Sequence, residues 1–190
     1  MTMMKYVTAI AAALALAACT PESTQPTTSA ALGVQQPLSL AALKTQAKGF
    51  TVGSLMRARE VFVFYDPQCP HCANLWQETK QLHGEAKFTW IPVAIMRPVS
   101  ALQGGAILSS SDPVKTMDEH EALISAGRGG MTAGPISEEM KATIAQNTAL
   151  FQSFGRNGVP FIVSQHVATG ELVTIPGALS ASALKGALGW

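Results

Sequence analysis

Two cysteines separated by two residues, Cys69-Pro70-His71-Cys72, stand directly between a strand pattern and a helix pattern. Val61-Phe62-Val63-Phe64-Tyr65 is a continuous β-branched and aromatic run, the composition of a strand buried on both faces. Asp66-Pro67 ends it. Beyond the motif, Cys72, Leu75, Trp76, Thr79 and Leu82 fall on one helical face, with Gly84 as a stop signal. A Cys-x-x-Cys pair serves zinc or redox chemistry. Structural zinc needs four ligands. The chain has three cysteines, the third is Cys19 in a different setting, and His83, His120 and His166 are scattered without forming a ligand pair. The ligand count fails for zinc, and redox chemistry remains.

The local order supports that chemistry. With Pro70 as the first helical residue, Cys69 is the N-cap, and its sulfur meets unpaired backbone N–H groups at the positive end of the helix. Thiolate is favoured there, so a depressed pKa is expected for Cys69. His71 adds a donor and, when protonated, a positive charge. Cys72 lies one turn in and is expected to be the buried resolving thiol. A structural disulfide closing so short a loop would contribute little stability.

Downstream, Gly158-Val159-Pro160-Phe161 puts a proline at the start of a strand, where a missing N–H is tolerated. After a strand–Cys-x-x-Cys–helix unit this segment resembles the cis-proline loop that faces the dithiol in thioredoxin-like folds. From Phe50 to Gly189 the chain resembles the bacterial Dsb proteins, most closely the DsbG/DsbC branch. The resemblance rests on FYDPQCPHCANLW, WIPVAIM, ILSSSDPVKTMDEHEA and GVPFIV. It implies an α/β thioredoxin fold with a helical insertion between its βαβ and ββα halves. It also implies a periplasmic location and thiol–disulfide exchange with cysteine-containing protein substrates. Cys69 would attack, Cys72 resolve, and Val159 and Pro160 shape the peptide groove. A DsbB-like or DsbD-like membrane protein would recharge the dithiol. Three departures stand out. Only Leu38–Gly49 could stand for the linker that follows the branch's dimerisation domain, so a monomer is expected. The Pro70-His71 dipeptide matches DsbA, and so does Val159 before the proline. Oxidase, reductase and isomerase directions all stay open.

The N-terminus gives the compartment. Lys5 precedes the apolar run Tyr6–Ala18, which is too short to span a bilayer and fits a secretory signal. Leu16-Ala17-Ala18-Cys19 resembles a lipobox, which makes Cys19 the lipidation site and residues 1–18 a signal peptide. Thr20 after the cysteine, where an Asp would retain the protein in the inner membrane, points to the outer membrane. Residues 19–37 carry Thr, Ser, Pro and Gln and no aromatic side chain, as a flexible tether does. Residues 38–190 form the catalytic domain. An exported chain lives where disulfides persist. The net charge of +1 gives no electrostatic footprint for nucleic acid, and no metal, flavin or nucleotide cofactor is implied.

The remaining elements read as a helix at Ser39–Lys48, strands at Phe50–Leu55 and Phe88–Met96, and helices within Pro98–Asn157. A hairpin at Phe161–Ile175 and a helix at Ser180–Leu188 follow. Pro92 suggests a bulge or an edge strand. Gly127–Gly130 reads as a mobile inter-helix loop. Trp76 and Trp90 read as packing. Asp118-Glu119-His120-Glu121 reads as a solvated helix face. Asp66 either tunes the thiols or builds the turn. Met56, Met96, Met117, Met131 and Met140 are too dispersed for a copper site. Two alternatives to the oxidoreductase remain, a tethered peptide-binding chaperone without turnover and a copper-handling lipoprotein.

Overall fold

The computed structural model describes residues 37–54, 56 and 59–190. The expected signal peptide, Cys19 and nearly all of the tether lie outside the described residues. Helix α1 (Leu40–Gln46) starts where Ser39 Oγ accepts from the Ala42 N–H. Strand β1 (Phe50–Gly53) follows, then β2 (Glu60–Tyr65), α2 (Pro70–Lys80) and β3 (Lys87–Pro92). Three helices come next: α3 (Pro98–Ser109), α4 (Pro113–Ser125) and α5 (Glu138–Ser153). The hairpin β4 (Phe161–Gln165) and β5 (Leu172–Pro176) leads to α6 (Ala181–Leu188). The sheet order is β1-β3-β2-β4-β5. Strands β2 and β3 are parallel, and the other three pairings are antiparallel. This is the expected βαβ unit and ββα unit with a helical insertion between them.

Strand β2 is apolar on both faces because both faces are covered. Val61, Val63 and Tyr65 point into one cluster with Leu75 and Trp76 of α2 and Leu184 and Leu188 of α6. Phe62 and Phe64 point into the other, with Leu43 of α1 and Leu150 and Phe151 of α5. Trp76 and Trp90 are fully buried and meet edge to face with centroids 5.1 Å apart. Both are packing residues, as read from the sequence.

Two expectations about strand and helix ends are corrected. Strand β3 does not run to Met96, and it is interior, between β1 and β2. Pro92 is its last residue, opposite Tyr65, so the missing N–H falls where the ladder ends. The next N–H, that of Val93, donates to Tyr65 O at 2.8 Å. Helix α2 stops at Lys80, ahead of Gly84. Helices α4 and α5, which lie within the expected helical stretch Pro98–Asn157, start at side-chain caps. Asp112 accepts from Lys115 N with Pro113 as the first helical residue, and Ser137 accepts from Met140 N.

Candidate active site

Strand β2 and helix α2 place the dithiol. Cys69 is the N-cap of α2 and Pro70 its first residue. The turn before it closes through Cys69 N–H to Asp66 O at 2.9 Å. Cys69 is 3% exposed and Cys72 is fully buried; both are free thiols. Pro70 and His71 are exposed on the outer side of the first turn. Across from them the Val159–Pro160 peptide is cis. The Cys69 thiol donates to Val159 O at 3.5 Å, which links residues 90 positions apart. Cys69, Cys72, Val159 and Pro160 are therefore brought together. Cys19 lies outside the described residues.

The two sulfurs differ chemically. The thiol of Cys72 donates to Cys69 and is the largest cause holding the Cys69 pKa down, to about 7, against an opposing push from burial. The backbone N–H groups of Cys72 and His71 add to the lowering, and the charge of Asp66 works against it. The expected direction is observed, but its leading cause is the partner thiol rather than the helix terminus, for Cys69 makes no side-chain cap hydrogen bond of ordinary geometry. Burial pushes the Cys72 pKa well up, and the thiol and charge of Cys69 push it further.

A polar scaffold surrounds the pair. Asp66 is fully buried and its carboxylate accepts four hydrogen bonds. They come from Gln68 N at 2.9 Å, Ser100 Oγ at 2.7 Å, Ile95 N at 2.8 Å and Met96 N at 2.9 Å. It ties the loop before Cys69 to the loop after β3, so Asp66 builds the turn while its charge also acts on the Cys69 thiol. Gln68 Nε2 donates to Gln103 Oε1 at 2.6 Å and to Gly129 O at 2.7 Å. Gln103 Nε2 also donates to Gly129 O and to Met131 O. The glycine-rich loop is thus pinned against the residues preceding the dithiol, not held free between helices.

The reading of Asp118–Glu121 as a solvated face is corrected as well. Met117, His120, Glu121 and Ile124 are the buried residues of α4. They occupy positions i, i+3, i+4 and i+7, the stripe a helix turns to its core. His120 Nε2 lies 2.7 Å from Pro67 O, so this nitrogen carries the proton and donates. His120 Nδ1 accepts from Met131 N at 3.2 Å. Burial lowers the His120 pKa. Gly130, at φ +80°, leaves room for that ring, which a Cβ would strike. Asp118 accepts from Trp76 Nε1 at 2.6 Å and pairs with Lys80, which locks α4 onto α2. Glu121 is buried within electrostatic reach of both cysteines, with neither oxygen hydrogen-bonded among the described residues.

The thioredoxin-like domain family matches residues 57–189. That match covers well over half of the chain, including the motif, the insertion and the proline loop. The chain belongs to the thioredoxin-like family. Among curated relatives it is 33% identical over 104 residues to the thiol:disulfide interchange protein DsbG of Escherichia coli K12. It is 31% identical over 109 residues to DsbG of Pseudomonas aeruginosa. These alignments cover 54% and 55% of this chain and 42% and 41% of the relatives, so it spans less than half of each relative's length. Among solved structures, the catalytic domain of Proteus mirabilis ScsC superposes with a TM-score of 0.61 at 20% identity, covering 78% of this chain and 91% of that one. A periplasmic thioredoxin-like protein from Salmonella enterica serovar Typhimurium gives 0.62 at 20%, covering 81% and 97%. These two likenesses concern the fold.

Among the described residues no three His, Cys, Asp or Glu side chains gather as a metal-binding set, and no helix is long and apolar enough to cross a membrane. The scaffold residues Gln68, Gln103, His120 and Glu121 were not singled out as site residues from the sequence. The signal for the last two is the stripe of α4, which runs through them.

Proposed function

We propose that this protein is a periplasmic thiol:disulfide oxidoreductase that exchanges disulfides with cysteine-containing proteins through Cys69 and Cys72. The carrying observation is the asymmetry of the pair. Cys69, with a pKa of about 7, is substantially thiolate near neutrality, while Cys72 is sealed behind it with its pKa raised. The Cys69 thiolate attacks a substrate disulfide sulfur, an S–S bond forms between enzyme and substrate, and the other substrate sulfur leaves as thiolate. Cys72 then gives up its proton and attacks Cys69 Sγ, and the second substrate thiolate leaves. Run backwards, the same steps oxidise a dithiol. Val159 O, already an acceptor for Cys69, is the backbone group an extended substrate peptide would meet beside the sulfur. Pro70 and His71 form the exposed rim of the motif. The exchange partners would include a DsbB-like or DsbD-like membrane protein, and the unit would work as a monomer.

The test is a trap. With Cys72→Ser in the full chain, incubation with a disulfide-bonded peptide is expected to leave a covalent, reductant-sensitive adduct on Cys69. The wild type turns the same peptide over and accumulates none. Peptide held without any covalent adduct, together with no turnover by the wild type, would instead identify a binding module.

The N-terminal residues extend the proposal. Residues 1–18 act as a signal peptide, Cys19 is acylated, and residues 19–37 tether the domain to a membrane, probed as the outer one by fractionation. The support is the order of Lys5, the apolar run and Leu16-Ala17-Ala18-Cys19. Labelling cells with a palmitate analogue is expected to mark the wild type and to miss Cys19→Ala. Equal labelling of both would remove the anchor from the proposal.

A further inference from the structure

Asp66 and Glu121 are both fully buried carboxylates that interact electrostatically with Cys69, and their surroundings are opposite. Asp66 accepts four hydrogen bonds. Glu121 accepts none among the described residues, with both oxygens enclosed. A buried polar group without a partner is costly, and a buried charge more so. Geometry places Glu121 behind Cys72. Helix α4 packs along α2 and is fastened there by Asp118, which binds Trp76 Nε1 and Lys80. One turn back from Trp76 along α2 is Cys72, and three residues on from Asp118 along α4 is Glu121. The Tyr65 hydroxyl is also enclosed without a hydrogen-bond partner among the described residues. Beneath the dithiol, β2 itself offers Val61, Val63 and Tyr65 on this face and no carboxylate.

We propose that Glu121 is the proton-exchange partner of Cys72, an assignment that rests on the thiol–disulfide exchange reading above. When a substrate thiolate attacks Cys69 Sγ of the oxidised protein, the bond to Cys72 breaks and its electron pair leaves on Cys72 Sγ. The carboxyl proton of Glu121 moves onto that sulfur and leaves a carboxylate. In the closing direction the carboxylate takes the Cys72 proton, Cys72 Sγ attacks Cys69 Sγ, and the substrate departs as thiolate. Without such a donor the leaving group would be a thiolate buried in an apolar cluster.

The charged and titratable neighbours agree with this role. They are Cys69 and Cys72 from α2, and Tyr65 and Asp66 from the end of β2; His120 precedes Glu121 on α4. Burial, then the charges of Cys69 and Asp66, raise the Glu121 pKa to about 9, so the group holds its proton at neutral pH. The Glu121 charge in turn raises Cys72 and Tyr65. In the mixed disulfide Cys69 carries no charge, so its contribution disappears and Glu121 ionises more readily, at the step that needs a base.

The experiment is the opening of the oxidised full-length protein by a monothiol, quenched and alkylated across pH 6–9, for wild type and Glu121→Gln. Opening is expected to slow about hundredfold at pH 7 in the variant, the lower end of general acid–base contributions. The Glu121 inflection should disappear from the pH profile. The control is the first attack of Cys69 on an aromatic disulfide in the Cys72→Ser background, expected to be the same with Glu121 or Gln. Wild-type opening rates in Glu121→Gln, or equal slowing of the Cys69 attack, would overturn the assignment. An independent reading needs no variant. The infrared spectrum of reduced wild type carrying 13C-labelled glutamate should show an isotope-shifted protonated carboxyl band at pH 7, and its absence would also overturn it. If the wild type opens and transfers no disulfide at all, the exchange reading itself fails, and this assignment falls with it.

Discussion

Cys69→Ser is expected to reduce disulfide exchange to the uncatalysed background, while Cys72→Ser keeps the first attack and stalls after it. The reason lies in which sulfur is a thiolate. With a pKa of about 7, Cys69 is roughly half ionised at pH 7. An ordinary thiol with a pKa near 8.5 would be only ~3% ionised. Cys72, raised above its ordinary value of 9.0, carries less than ~1% thiolate and is fully buried. Thiolate content alone therefore separates the two by ~50-fold or more. Iodoacetamide under native conditions should label Cys69 with a midpoint near pH 7 and leave Cys72 unmodified. Mass spectrometry of the digested protein reads both sites at once. Comparable labelling of the two cysteines at pH 7 would contradict the asymmetry, and exchange activity surviving in Cys69→Ser would contradict its use.

The strand Val61–Tyr65 was legible because every residue in it is apolar, and a sheet with helices on both faces buries both sides of such a strand. The dithiol was legible because its spacing and its place at a helix start are local facts. The helix starts at Ser39 and Ser180 were legible for the same reason. Long-range contacts were not. Nothing local to Gly127–Gly130 says that Gly129 O accepts from Gln68 and Gln103. The end of β3 at Pro92 depends on Val93 pairing with Tyr65, a contact between two strands. His120 and Glu121 are the instructive case. Charged residues in a row suggest solvent, and for Asp118 and Glu119 that holds in part. The stripe through Met117 and Ile124 carries the next two inward. Residue type and periodicity disagreed there, and periodicity won because α4 is packed against both α2 and α3.

A buried acid that keeps its proton must also leave a mark on stability. The Glu121 pKa is about 9 in the folded protein and near 4.5 when the chain is unfolded. Between those values the folded state holds a proton that the unfolded state has released. Its contribution is complete below pH 4.5 and is lost as pH rises toward 9, at ~1.4 kcal/mol per pH unit. Between pH 5 and pH 7 the loss is about 3 kcal/mol. Cys69 acts with the opposite sign in the reduced protein. Its folded pKa lies below the unfolded one, so it adds stability as pH rises from about 7 to 9, above the chosen window. His83 and His120 have lowered folded values and also favour the folded state as pH rises toward 6.5. These contributions are common to wild type and Glu121→Gln, so the difference between the two isolates the carboxyl. In urea unfolding of the reduced proteins, Glu121→Gln should gain on wild type by about 3 kcal/mol on going from pH 5 to pH 7. A difference that stays flat across that window would mean that Glu121 is already ionised in the folded protein. It would then need a partner that neither α2 nor β2 supplies.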